Sequence, residues 1–147
     1  MQPHLDLLPH LGTLIAAYLL ALPIGWDRER KERSAGLRTF PLVAIATCGF
    51  VQATEHLTAE SAEATARIVE GLITGMGFIG GGAILVVKQN VRGTATAASL
   101  WATGAMGTAI GLGSYDTAIV LSLMTFLTLR YVKSGIEEVK SPQLEDV

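Results

Sequence analysis

Gly71-Leu72-Ile73-Thr74-Gly75-Met76-Gly77-Phe78-Ile79-Gly80-Gly81-Gly82-Ala83-Ile84-Leu85-Val86-Val87 is the stretch that decides the fold. The polar loop Lys88-Gln89-Asn90-Val91-Arg92 follows it, and a second apolar run then extends to Gly113. Eleven of the sixteen glycines lie between residues 68 and 113, and Lys88 and Arg92 are the only charges between Glu70 and Asp116. Glycine costs a water-soluble helix roughly 1 kcal/mol relative to alanine. In a membrane helix it lets backbones approach closely, where packing must replace the hydrophobic effect. The reading is two tightly packed transmembrane helices joined by a basic hairpin.

Working outward, five segments qualify as spans: residues 8–26, 37–53, 68–87, 95–112 and 117–132. Several are short for a spanning helix. A soluble bundle, however, would show a polar stripe at helical period on each helix. The third and fourth segments have none, and Thr74, Thr103 and Thr108 are the most polar side chains in their interiors.

Loop charge orients the spans. The first loop carries Arg28, Arg30, Lys31 and Arg33, with Arg38 opening the next helix. The second is acidic (Glu55, Glu60, Glu63), the third basic, and the fourth, Gly113-Ser114-Tyr115-Asp116, has no positive charge. Arg130, Lys133 and Lys140 come at the end of the fifth span and after it. Positive charge stays on the cytoplasmic side. The expectation is an all-α polytopic membrane protein with five transmembrane helices, N-terminus out and C-terminus in. Residues 133–147 form a short cytoplasmic tail, in which 133–140 could make two helical turns.

Composition agrees. In 147 residues there is room for one domain, and 50% are hydrophobic with a mean hydropathy of +0.43. Only 16% are charged, against roughly 25% in soluble chains. A net charge of −2 excludes a strongly basic nucleic-acid binder. Cys48 is the only cysteine, so it forms no intrachain disulfide and is expected to pack as a small hydrophobe. The first 26 residues contain no lysine or arginine, so they lack the basic start of a secretory signal and should be retained as a helix.

Gly75-Met76-Gly77-Phe78-Ile79-Gly80 spells G-x-G-x-x-G, but it lacks the acidic residue that a dinucleotide fingerprint requires about 20 residues on. Packing is the favoured reading: Gly71/Gly75, Gly77/Gly81 and Gly107/Gly111 are G-x-x-x-G pairs. Gly80-Gly81-Gly82 also permits a break in the helix, the kind of place where transporters put ligand sites. Asp27 and Arg38 abut helix ends at the inner interface, where a charge pairs or faces a cavity. An Asp27–Arg38 or Glu29–Arg38 pair is expected, as is an Arg67–Glu70 pair at i,i+3, with a cation or proton site on Glu70 as the alternative. His4, Asp6, His10 and His56 match no metal motif. Ser99, Ser114 and Ser122 have no nearby basic partner for nucleophilic catalysis. No cofactor, metal site or enzymatic activity is expected.

Gly25-Trp26-Asp27-Arg28-Glu29-Arg30, Ser34-Ala35-Gly36-Leu37-Arg38-Thr39 and Leu42-Val43 resemble the first-loop signature of the MgtC/SapB family of bacterial inner-membrane proteins. The glycine-rich third span and Asn90-Val91-Arg92-Gly93-Thr94-Ala95-Thr96-Ala97-Ala98-Ser99-Leu100-Trp101 are similar to the segments that follow in that family. Thr94 and Ala95 stand where members usually have leucine and threonine. Many members continue into a cytoplasmic C-terminal domain, so a short form is implied. The resemblance also implies five spans and a role in growth under magnesium limitation, with survival in macrophages for pathogens. It further implies action on other membrane systems, including cation transporters and ATP synthase. The positions it marks are Asp27, Arg28, Gly36, Arg38, Thr39, Asn90, Arg92, Gly93, Thr96 and Trp101. They are expected as one group at the inner loops and adjoining helix ends, suited to an anionic headgroup, a phosphate or an acidic partner surface. The partners expected are the lipid bilayer and other inner-membrane proteins. The alternative is a small ion or solute transporter or channel, a homo-oligomer built on the glycine faces.

Overall fold

The computed structural model describes residues 7–55, 61–87 and 90–132. The expected tail helix at 133–140, His4, Asp6, His56, Glu60 and Lys88 lie outside the described residues. The chain order is α1 (Leu7–Arg30), α2 (Thr39–Ala53), α3 (Ala62–Gly82), β1 (Leu85–Val87), β2 (Asn90–Arg92), α4 (Thr94–Gly111) and α5 (Tyr115–Tyr131). At 1.5 Å per residue, the 24 residues of α1 reach about 36 Å. This is the one described helix both long and apolar enough to cross a bilayer by length and composition.

Three boundaries differ from expectation by more than two residues, each for a local reason. α1 continues past residue 26 to Arg30, because Arg28 and Arg30 in its last turn complement the negative end of the helix dipole. α3 begins at Ala62 rather than 68, because the Ser61 hydroxyl accepts the Ala64 N–H (3.2 Å) and so caps the helix. It also ends at Gly82 rather than 87. Ala83 and Ile84 donate to the carbonyls of Gly80 and Gly81 (3.0 and 3.1 Å), and the β-branched Val86-Val87 enters a two-stranded antiparallel hairpin. There Leu85 pairs with Arg92, Val86 with Val91 and Val87 with Asn90. The glycine run ends the helix instead of breaking it midway, and the helical fold carries a small hairpin.

Successive helices run in opposite directions. α1 and α5 lie parallel, with Ser122 Oγ donating to the Leu20 carbonyl (2.7 Å). α2 and α4 are also parallel, with Gly107 beside Ala44 and Thr47 and Gly111 beside Cys48 and Val51. α4 is the centre of the bundle and packs on all four other helices, whereas α3 packs chiefly on α4. Every loop expected to be basic therefore falls at one end.

The glycines divide accordingly. A Cβ on Gly107 would run into Thr47 Oγ1 and the Ala44 carbonyl oxygen, and one on Gly111 would lie 2.7 Å from Val51 Cβ. A Cβ on Gly71, Gly75, Gly77 or Gly81 would meet nothing within 4 Å. Gly71, Gly75, Gly77 and Gly81 were expected to line a helix contact, but among the described residues no helix lies against them.

Large apolar side chains such as Leu19, Phe50, Phe78 and Val120 point outward, while Thr47, Ser99, Thr103 and Ser122 are buried. That arrangement suits lipid surroundings, where small and hydroxyl side chains mediate helix contacts.

Candidate functional site at the basic end of the bundle

The charge run at the end of α1 folds into a cluster around one carboxylate. The Asp27 side chain is 2% exposed, and its Oδ2 lies 3.2 Å from Arg28 Nη2 and 3.0 Å from Lys31 Nζ. Arg130 Nη1, from the last turn of α5, is 4.0 Å from Oδ1. Lys31 Nζ also donates to the Leu129 carbonyl at 2.6 Å, supplying a cation and a donor to the end of α5. Arg28 is as enclosed as Asp27, with 6% of its side chain exposed, and its Nε has no hydrogen-bond partner among the described residues. Burying ions costs several kcal/mol each and is tolerated only with close opposite charge. Asp27 is the anion that holds these cations.

The corner from α1 to α2 is built on glycine. The Leu37 N–H donates to Glu29 Oε2 (3.1 Å), and a Cβ on Gly36 would overlap that carboxylate. Gly25 faces the same corner, where a Cβ would sit 3.2 Å from the Gly36 carbonyl oxygen and Leu37 Cα. The Thr39 N–H then donates to the Gly36 carbonyl (3.0 Å) and opens α2. Arg30 stacks over Trp26, 5.2 Å from the ring centroid.

A profile of the MgtC family matches residues 14–137. The chain belongs to the MgtC family. It is 35% identical to Protein MgtC of Salmonella typhimurium (strain LT2) over 124 residues, covering 84% of this chain and 52% of that protein. It is 38% identical to the putative magnesium transporter YhiD of Escherichia coli (strain K12) over 122 residues, covering 79% of this chain and 57% of the relative. Protein SrpB of Synechococcus elongatus is 36% identical over 128 residues, covering 79% and 70%. The chain thus spans about half the length of the first curated relatives it matches. No solved structure matches. Family membership, together with the apolar α1, makes this a membrane protein in contact with a lipid bilayer.

The MgtC-type signature is only partly brought together. Asp27 and Arg28 form the cluster, and Gly36 and Thr39 form the adjoining corner. Arg38 precedes α2 with its side chain exposed, and it pairs with neither Asp27 nor Glu29, contrary to expectation. Those carboxylates are engaged by Lys31, Arg28 and the Leu37 N–H instead. Asn90 and Arg92 lie on β2, and Gly93, at φ +90°, turns the chain into α4. A Cβ on Gly93 would strike the Ala83 carbonyl oxygen, so the positive φ and the close approach both require glycine. Thr96 is buried in the first turn of α4.

Trp101 stands apart. It lies two turns into α4 and lines an apolar groove of about 330 Å³ with Leu72, Met76, Gly104 and Ala105. Arg67 pairs with Glu63 (2.8 Å), at i,i+4, and not with Glu70. A more polar cavity of about 460 Å³ opens at the opposite end, lined by Thr13, Gln52, Glu55, Thr65 and Tyr115.

Lys31, Arg130, Glu29 and Gly25 belong to the basic end without having been marked as site residues. Lys31 stands at i+4 from Asp27, a spacing that places two side chains on one helix face. Arg130 has no local signal; only the common end of α1 and α5 brings it there.

Proposed function

We propose that this chain is a multi-pass protein of the bacterial inner membrane with five spans, N-terminus outside and C-terminus inside. It supports adaptation to magnesium limitation by modulating other membrane systems, such as cation transport and ATP synthase, and catalyses no reaction. The observation carrying this reading is the state of the interior hydroxyls. Thr47, Ser99, Thr103 and Thr108 each donate to a carbonyl three or four residues back in the same helix, and Ser122 donates to Leu20. A conducting path needs such groups turned toward a lumen. Here they are committed to backbone, and the basic end offers the polar surface.

The second reading is a small ion or solute transporter assembled as a homo-oligomer. The open glycine face of α3 favours it, and so does the name of the relative YhiD as a putative magnesium transporter.

Growth and total cell magnesium in a deletion strain held at micromolar magnesium separate the two. Failed growth at unchanged magnesium content, restored by the wild-type chain, is the expected result. Failed growth with depleted magnesium would overturn modulation in favour of transport.

A further inference from the structure

The cluster at the inner ends of α1 and α5 holds more positive charge than its own anion balances. Three cations, Arg28, Lys31 and Arg130, lie within 4.0 Å of one carboxylate. The two helix C-termini add roughly half a negative charge each, which leaves about one positive charge over. Among the described residues Glu29 pairs with none of these three cations; its Oε2 is turned to the Leu37 N–H (3.1 Å).

Donors are in excess as well. Lys31 has three ammonium donors and directs two of them to Asp27 and the Leu129 carbonyl, leaving one. Arg130 has five, and its one ion-pair contact among the described residues is the 4.0 Å approach to Asp27, beyond hydrogen-bonding distance. Arg28 Nε, fully enclosed, has no acceptor among the described residues. The two outer cations remain reachable, with Lys31 33% and Arg130 46% exposed.

We propose that the inner ends of α1 and α5 bind a singly charged phosphate group, held by Lys31 Nζ and the Arg130 guanidinium, with Asp27 and Arg28 as the buried base that positions them. A phosphodiester carries the charge that is missing, and its oxygens accept from a lysine point charge and an arginine fork alike. The site adjoins the Arg30–Trp26 stack and the exposed apolar flank of α1. The proposed five-span topology, on which this assignment rests, puts that end at the level of lipid headgroups, so an anionic phospholipid is the expected source. Soluble phosphate has the same chemistry.

The test uses the full chain in nanodiscs of neutral phosphatidylcholine, with or without phosphatidylglycerol, and follows thermal unfolding by the fluorescence of Trp26 and Trp101. Phosphatidylglycerol should raise the midpoint of the wild-type chain. Lys31→Gln and Arg130→Gln should each abolish that rise and weaken lipid binding roughly tenfold or more, the equivalent of one charged hydrogen bond. Arg130→Lys should keep part of it, and Arg67→Gln, in the exposed pair with Glu63, should keep all of it. The same rise from inorganic phosphate in neutral nanodiscs would support the site with soluble phosphate as its ligand. If a glutamine variant fails to insert, the wild-type rise must still shrink with ionic strength, since the contacting groups are partly exposed. No rise with either phosphate source, a rise indifferent to salt, or one that survives both glutamine substitutions would overturn the proposal.

Discussion

Replacing Gly107 with alanine tests the contact between α2 and the central helix. The added Cβ would fall on Thr47 Oγ1 and the Ala44 carbonyl oxygen, with the carbonyl carbon of Ala44 3.0 Å away. None of these can yield easily. The Ala44 atoms are backbone, and Thr47 Oγ1 is bonded to the carbonyls of Val43 and Ala44 at 3.1 and 3.2 Å. Overpacking of this kind costs about 1–3 kcal/mol, and the rigid neighbours put Gly107 at the upper end of that range. Alanine returns up to about 1 kcal/mol of helix propensity, so a net loss of about 2 kcal/mol remains. For a chain of this size that lowers the unfolding midpoint by about 4–8 °C, measurable by circular dichroism in detergent. Gly104→Ala should cost less, because its nearest neighbour is the flexible Met76 side chain at 2.7 Å. Gly81→Ala, with open space around it, should leave the midpoint unchanged or raise it. A Gly107→Ala midpoint equal to wild type would refute the close approach of α2 and α4. A drop for Gly81→Ala as large as that for Gly107→Ala would mean that the α3 face is covered in the assembled protein.

Three further outcomes follow from the same geometry. Asp27→Asn leaves Arg28 buried beside no anion, and a broken buried pair costs about 3–5 kcal/mol; the folded fraction recovered from membranes should fall sharply. Arg67→Ala removes an exposed i,i+4 pair and should change stability by less than about 0.5 kcal/mol, seen as an unmoved unfolding midpoint. Arg38→Ala should abolish growth at low magnesium while leaving insertion intact, since the side chain is exposed and anchors no ion pair; loss of insertion would make Arg38 a topology determinant only.

The number and order of the helices could be read from the sequence because apolar runs and loop charges report directly on them. Helix ends could not, because hydropathy locates an apolar layer whereas caps and dipoles terminate a helix. Ser61 therefore starts α3 six residues before residue 68, and the basic last turn carries α1 on to Arg30. The glycine pairs show a harder limit. Gly77/Gly81 and Gly107/Gly111 have the same spacing, yet the first meets open space and the second meets α2. Their local sequence does not distinguish them; only the central position of α4 does. The site divides in the same way. Asp27 and Arg28 were marked by motif, Lys31 was accessible through its i+4 spacing, and Arg130 became a neighbour only through the parallel course of α1 and α5.

Under the proposed function, the distribution of polar groups favours action at the rim of the bundle over passage along its axis. Thr47, Thr103, Thr108 and Ser122 donate their hydroxyl hydrogens to carbonyls of their own helix or of α1, so these buried groups serve the packing of the bundle. Positive charge collects at one end, where Asp27 ties the last turn of α1 to the last turn of α5 and Lys31 reaches the Leu129 carbonyl. An anion or partner bound there would change the balance of that tie and alter how α1 and α5 are held together. Moving the same tie from within the bundle would require disrupting the Ser122–Leu20 bond and the glycine contacts of α4. In the proposed reading the rim, where Lys31 and Arg130 remain partly exposed, is therefore the place where a partner or anion reaches this fold.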